Sequence, residues 1–227
     1  GTGNVELSYY TKSGSTYNKL SVKPKDAGTY YVSINEAAAG NYAESVSAYR
    51  EFIISKAVIK LEAEAASSIY YEPLAELKYK ETGTAVTGED LGIKISTNAT
   101  AASPAGSNYD ITITYDTAMT NYAVTVTNAK YTVINAAMKV NAADVNVTYD
   151  GKAHSISVNN DIAGAAVYYG ATALNAENYN TSGNTANPGY TEAGSYTVFY
   201  FVMKPNYTAV SGSAKITVSK AGQTVHV

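Results

Sequence analysis

The sequence predicts an all-β chain built of tandem sandwich modules, and three observations carry that expectation. A closing skeleton recurs three times: Asp26 to Ala57, Ser103 to Ala137 and Thr191 to Ala221. Each copy runs from a small-residue Ala-Gly turn through an alternating strand and an Asn-Tyr corner to a second alternating strand. The composition suits pleated, half-buried surfaces, with 22 tyrosines, 3 phenylalanines and no tryptophan among 227 residues. Helical patterning is nearly absent: Glu36 to Ala39 and Glu62 to Ala66 have helix-forming composition, but both are short and the second continues an alternating run.

The repeat sets the boundaries. Turn glycines Gly28, Gly106 and Gly194 lie 78 and 88 residues apart. Corner asparagines Asn41, Asn121 and Asn206 lie 80 and 85 apart, and exit alanines Ala57, Ala137 and Ala221 lie 80 and 84 apart. A unit of roughly 80 residues can bury a small core of its own. The division is therefore residues 1–57, 58–137 and 138–221, with 222–227 opening a further module. The first module is short. Upstream of its hairpin it has only VELSYYTKSG, matching AAVYYGATAL at Ala165 to Leu174, so it is expected to lack its opening strands and to leave an edge and a core face uncovered. The array is expected to continue in both directions. The junctions carry no Gly, Pro or Ser-rich spacer, which favours a stiff rod over beads on a string.

Taken in order, the first hairpin is expected over Thr29 to Asn35 and Tyr49 to Ser55. The second module opens on alternating Ile59 to Glu64, with strands near Ile69 to Tyr71, Leu77 to Tyr79 and Ile93 to Ser96. Its turn glycine stands three residues before its tyrosine (Gly106, Tyr109), against two in the other copies (Gly28 to Tyr30, Gly194 to Tyr196). One extra residue would flip the strand's faces, so a bulge at Ser107-Asn108 is expected to absorb it. In the third module Val145 to Thr148 leads into Tyr149-Asp150-Gly151, a strong tight-turn signal. Strands follow at Ile156 to Val158 and Ala165 to Tyr169, then a long polar connection from Leu174 to Tyr190. In the last hairpin Tyr196, Val198, Tyr200 and Val202 share one face, while Thr197, Phe199 and Phe201 share the other. That strand should be central, with one face on the core and the other partly covered.

Val147-Thr148-Tyr149-Asp150-Gly151, the later Tyr-Tyr-Gly, the Ala-Gly-Ser-Tyr-Thr-Val strand, the Pro-Asn-Tyr corner and the Ile-Thr-Val-Ser-Lys-Ala exit resemble the bacterial immunoglobulin-like repeats of the MBG or YDG type. The second module is similar to the variant with Ser-Pro-Ala-Gly before its penultimate strand, and the first resembles the C-terminal two-thirds of such a unit. Two features depart from the pattern: the residue after Gly106, and Ser68 to Pro73 where Tyr-Asp-Gly would stand. The resemblance implies tandem immunoglobulin-like β-sandwiches in a secreted or wall-attached bacterial protein, often adhesin-like. The expected role is a non-catalytic stalk or spacer. The alternatives are a module binding host glycan or protein, or an accessory region of a secreted glycosidase.

Chemistry-bearing patterns are sparse. Net charge is −3, and the three modules carry +1, −4 and 0, so no module has the basic footprint of a nucleic-acid binder. No apolar run is long enough for a membrane-spanning helix, and the absence of cysteine excludes disulfides and thiolate metal sites. His154 and His226 sit in different modules without a His-x-x-x-His or His-Glu pattern, and His154 reads as a solvated loop residue. Glu62 and Glu64 alternate with Leu61 and Ala63, as a solvent-facing strand would. Glu89-Asp90 is the candidate calcium ligand pair, although Asp-x-Asp spacing is missing. Lys60 and Asn135 are the pair placed for a covalent Lys–Asn crosslink, the plainer reading being exposed strand residues. Asn206-Tyr207-Thr208 matches a glycosylation acceptor, but copies one and two read Asn-Tyr-Ala, so the asparagine is assigned to the corner. Tyr30, Tyr109 and Tyr196 recur after the turn, and Tyr42, Tyr122 and Tyr207 in the corner, which marks them as structural. Tyr70, Tyr71, Tyr168, Tyr169 and Tyr179 do not recur and are the better ligand candidates. No cofactor or metal is expected. The tail is a candidate for head-to-tail self-association, Gln223 to Val227 pairing with the uncovered first module of another molecule.

Overall fold

The computed structural model describes residues Asn4–Gln223. Strands β1 (Val5–Ser13), β2 (Thr16–Lys19), β3 (Gly28–Glu36), β4 (Ser45–Val46) and β5 (Arg50–Ile54) form one sheet, in which β1 and β2 lie to one side of β3 and β4 and β5 to the other. Strands β6 (Ala57–Ala63), β7 (Ala66–Ile69), β8 (Tyr79–Thr82), β9 (Lys94–Thr97), β10 (Asn108–Thr114), β11 (Tyr122–Thr127) and β12 (Ala129–Ile134) form two sheets, ordered β11-β6-β8 and β7-β12-β10-β9. Strands β13 (Val140–Ala142), β14 (Val145–Thr148), β15 (Val158–Asn160), β16 (Ala166–Gly170), β17 (Gly194–Met203) and β18 (Val210–Ser219) form a β13-β15 pair and a β14-β18-β17-β16 sheet, with helix α1 (Tyr179–Ser182) before β17.

The chain divides into two compact units. The first takes residues up to Ala65, Leu77–Thr97 and Asp110–Ala129; the second takes Ala66–Glu76, Asn98–Tyr109 and the residues from Lys130 onward. In the first unit Ile59 and Leu61 of β6 are fully buried and pack with Leu91, Ile113 and Tyr122. Lys60 and Glu62 between them are exposed, as the period of a strand with one face on a core dictates. In the second unit Val198, Tyr200 and Val202 of β17 join Ala214, Ile216 and Val218 of β18 against Met138 and Ile156. Each core is filled by alternate side chains from two opposed sheets, and the fold is all-β, a series of immunoglobulin-like β-sandwiches.

The closing hairpins form where the repeat places them. β3 pairs with β5 from Gly28↔Ile54 to Val32↔Arg50, and β17 pairs with β18 from Gly194↔Val218 to Val202↔Val210. β17 is central, flanked by β16 and β18, and its outer face carries Phe201, which is buried beneath Tyr179. The matched upstream segments also correspond: β1 pairs antiparallel with β3 as β16 does with β17.

Several expectations change. The return strand of the second hairpin is not continuous. Tyr122 to Thr127 runs parallel to β6 from Tyr122↔Ala57 to Thr127↔Glu62, and the chain then enters β12 in another sheet. Asn128 sits at that switch and its Oδ1 accepts the Ile113 N–H, holding the bend where ladder bonding lapses. The opening segments switch sheets too, since β7 joins β12 and β14 joins β18 in parallel. The residue inserted after Gly106 lies between the Gly106 N–H, which donates to the Val133 carbonyl at 2.9 Å, and Tyr109, at the Ser107-Asn108 position expected to absorb it. Ile111 and Ile113 remain buried as Val198 and Tyr200 are. Finally, the strand expected at Ile69 to Tyr71 ends at Ile69, because Tyr71 takes a left-handed φ of 67° that no strand accepts. The neighbouring strands form a few residues later than the alternation suggested, at β8 and β15.

Truncating Ile216, which has no exposed surface, should destabilise the second unit by about 2–5 kcal/mol, while Ile53→Ala, at a side chain 65% exposed, should change stability by less than about 0.5 kcal/mol. Urea unfolding of the two variants against wild type checks both.

Candidate functional site: the turn–corner clasp and the aromatic faces

The recurrent asparagine does more than shape its own corner. Tyr42, Tyr122 and Tyr207 each donate their N–H to the carbonyl three residues back, on Ala39, Met119 and Lys204, so the corner closes the same way in all three copies. In the first unit the Asn121 side chain then reaches the turn of the preceding hairpin copy. Its Oδ1 accepts the Ala27 N–H at 2.8 Å and its Nδ2 donates to Asp26 at 2.9 Å. Its backbone carbonyl accepts the Ala57 N–H at 3.0 Å. The second unit repeats the arrangement: Asn206 Oδ1 accepts the Ala105 N–H at 2.9 Å, and the Asn206 carbonyl accepts the Ala136 N–H at 2.9 Å. Asparagine suits the position because its amide carries an acceptor and two donors on a short arm. Asn206 takes a positive φ of 71°, which asparagine tolerates better than most residues. The corner role assigned to Asn206 agrees with this geometry, in which its Oδ1 is engaged.

The tyrosine after the turn completes the corner. Tyr196 donates its hydroxyl to the Glu192 carbonyl and Tyr109 to the Pro104 carbonyl, each at 3.1 Å. The two tyrosines stand four and five residues from those carbonyls, which is the inserted residue seen again. Both are tyrosine corners of the immunoglobulin type. Among the corner tyrosines, Tyr122 is 5% exposed and its hydroxyl accepts the Val86 N–H while donating to Glu89. That bond to Glu89 raises the Tyr122 pKa.

The titratable candidates are spent on structure. Glu89 holds Tyr122, and Asp90 accepts the Gly92 N–H at 2.9 Å, so this carboxylate pair supports a loop. Among the described residues no group of three His, Asp or Glu side chains is placed to hold a metal ion. His154 is not a free loop residue: its Nε2 lies 2.9 Å from Asp150 Oδ1, and its backbone bridges to Tyr190. The Asp150 carboxyl is held below the ordinary carboxylate range, first by the Lys152 N–H and then by His154. This is a braced Tyr-Asp-Gly turn. His226 lies outside the described residues, as does the tail beyond Gln223. Lys60 lies on β6, between Thr125 and Thr82 in register, and Asn135 follows β12 in another sheet.

The non-recurring tyrosines separate into two groups. Tyr179 stacks on Phe201 and meets Tyr168 edge-on, with centroids at 5.2 and 4.8 Å, and Leu174 is buried nearby. The connection from Leu174 to Tyr190 thus covers the outer face of β17 and is not purely polar. Tyr169 belongs to the core, and burial raises its pKa. Tyr70 contacts Tyr207 and Tyr71 edge-on, and Tyr71 remains 67% exposed.

The first sheet carries two further surface features. On one face of the first sheet Tyr17 and Tyr49 stack at 3.8 Å, Tyr10 and Tyr31 meet them edge-on, and the Lys12 ammonium lies over Tyr17 and Tyr31. Their spacing along the chain follows no single period, so only strand pairing brings them together. On the opposite face, registers Val5↔Glu36 and Leu7↔Ile34 place Val5, Leu7 and Ile34 side by side, and all three are about half exposed or more. The three form an exposed apolar strip on that face.

No protein-family model matches the chain, and no curated protein matches it. Among solved structures, the chain is similar to Drosophila N-cadherin EC1-4, at 9% identity over 96% of this chain and 68% of that one, with a TM-score of 0.26. It is similar to immunoglobulin domains 1-5 of Sidekick-1, at 15% identity over 95% of this chain and 53% of that one, with a TM-score of 0.28. It is also similar to a SusE-like surface located polysaccharide binding protein of the Bacteroides thetaiotaomicron heparin utilisation locus, at 14% identity over 95% of this chain and 36% of that one, with a TM-score of 0.26. Likenesses this distant carry no functional inference.

Replacing Asn121 by Ala leaves the Ala27 N–H without its acceptor and should cost about 0.5–1.5 kcal/mol. Amide exchange at Ala27 should accelerate while exchange within β17 is unchanged. The Asp150 contribution to stability should be complete above the ordinary carboxylate pKa of about 4 and be lost as pH falls through its lowered folded value. Thermal melts from about pH 6 to about pH 2 should therefore show a larger loss in wild type than in Asp150→Ala.

Proposed function

We propose that this chain is a non-catalytic stalk or spacer in a bacterial secreted or cell-surface protein of the adhesin-like kind. The observation that supports this is the repeated clasp: the same asparagine joins each of two successive hairpin copies to the turn of the copy before it. A spacer needs modules joined by short, bonded junctions more than it needs a cleft. The side chains that could have carried chemistry are used here to brace turns. The bacterial and extracellular assignment rests on the resemblance to MBG or YDG repeats, and the modules assigned to residues 58–137 and 138–221 rest on the repeat itself.

A second reading, a module that binds host glycan or protein, is favoured by the stacked Tyr17 and Tyr49 beside Lys12. Aromatic faces stack on sugar rings and phenol edges donate hydrogen bonds. The two readings part in a binding screen of the whole chain, at about 10 µM, against glycan arrays and extracellular matrix proteins. The spacer predicts no saturable binding. Saturable binding that Tyr49→Ala removes, with the melting temperature kept, would replace the spacer by the binding module.

A further inference from the structure

The opening and closing segments of the second repeat copy run side by side in one direction. β6 pairs in parallel with β11 over six pairs in register, from Tyr122↔Ala57 to Thr127↔Glu62. Past the sheet switch, β7 pairs in parallel with β12 over four more, from Tyr131↔Ala66 to Ile134↔Ile69. Partners lie 65 residues apart throughout, so both segments leave one sheet and enter the next without a slip.

The third copy is bonded more sparsely. Its partners lie 71 residues apart, first at the single bridge Ala136↔Tyr207 and then over four pairs from Val145↔Ile216 to Thr148↔Ser219. Between them Val140–Ala142 pairs antiparallel with β15 instead, and the Asp144 side chain takes the Lys215 N–H at 2.8 Å. Among the described residues the third copy thus has half as many parallel pairs as the second.

Parallel pairing brings no gain in stability, being slightly weaker per residue than antiparallel pairing. What it changes is the response to a pull. A chain drawn at both ends pulls the opening segment by its first residue and the closing segment by its last. In parallel strands these points lie at opposite ends of the ladder. The strands must slide, and the bonds are loaded together. Pulled from the same end, the strands peel and the bonds yield in turn.

We propose that these parallel ladders make the chain a load-bearing tether, in which the second copy resists extension more strongly than the third. Under tension the third copy opens first and adds length while the second stays folded. The proposal rests on the spacer reading for the origin of the pull, and on the strand registers for the response to it.

Single-molecule force measurements on the whole chain test this. The sequence has no cysteine, so pairs of introduced cysteines serve as handles. Lys56→Cys with Asn135→Cys shears the second copy, and Asn135→Cys with Lys220→Cys shears the third. Lys56→Cys with Thr120→Cys peels the second copy from one end. All four positions are exposed, so each variant should keep the melting temperature of wild type, and a difference in force then reports the direction of the pull. Should a handle at Lys56 lower the melting temperature, Ser55→Cys, also exposed, replaces it. Shearing the second copy should need the highest force and shearing the third less. Peeling should need about half the shearing force or less, because each individually weak bond then yields alone. Peeling that is as hard as shearing the second copy overturns the proposal. So does a third copy that holds to the same force as the second or a higher one. Either result leaves the spacer reading standing, since the binding screen decides that reading separately.

Discussion

The amide of the alanine that precedes Gly28, and of the one that precedes Gly106, is satisfied from outside its own hairpin. A half-buried N–H without an acceptor costs about as much as a lost hydrogen bond. At Ala27 and Ala105 the acceptor comes from an asparagine some 94 and 101 residues further along the chain. One short side chain therefore fixes the turn, and through the turn glycine it fixes where the closing strand begins. The backbone of the same asparagine takes the N–H of Ala57 or Ala136, which sets where the next opening strand enters. At these two places the junction between hairpin copies is held by this one residue type at one position in the repeat.

Around that constraint the cores are assembled by alternation. β17 and β18 bury every second side chain against Met138 and Ile156, and β6 does the same with Ile59 and Leu61. Burying each such side chain contributes about 1.5–3 kcal/mol. The first sheet offers the corresponding face, through Val5, Leu7 and Ile34, without an opposed sheet in the described residues. Its other face is closed by tyrosines and a polar network, in which Asn35 bonds Ser8 and the Ser33 and Tyr10 hydroxyls meet. This sheet thus differs from the later ones in what covers it and not in how its strands pair.

Tyrosine serves this chain in three ways. As a corner it returns its hydroxyl to a carbonyl upstream, at Tyr109 and Tyr196. As a core residue it reaches a backbone donor from full burial, as Tyr131 does with the Ala75 N–H at 2.7 Å. As a surface residue it stacks, at Tyr17 and Tyr49. A phenylalanine would supply the same area in each place but would leave the carbonyl or amide unpaired in the first two.

The all-β class, the three hairpins, the central position of β17 and the structural role of Tyr109, Tyr122 and Tyr196 were legible in the sequence. Each of these follows from period-2 alternation and from residues repeated at fixed places, and both are local signals. The splitting of Tyr122 to Ile134 between two sheets, the covering of Phe201 by Tyr179, the stack of Tyr17 on Tyr49 and the partners of Asn121 and Asn206 were not legible. They join residues far apart in the chain, and which pairs meet is decided by sheet order and register. Alternation says which side of a strand a residue faces; only the tertiary structure decides what stands opposite it.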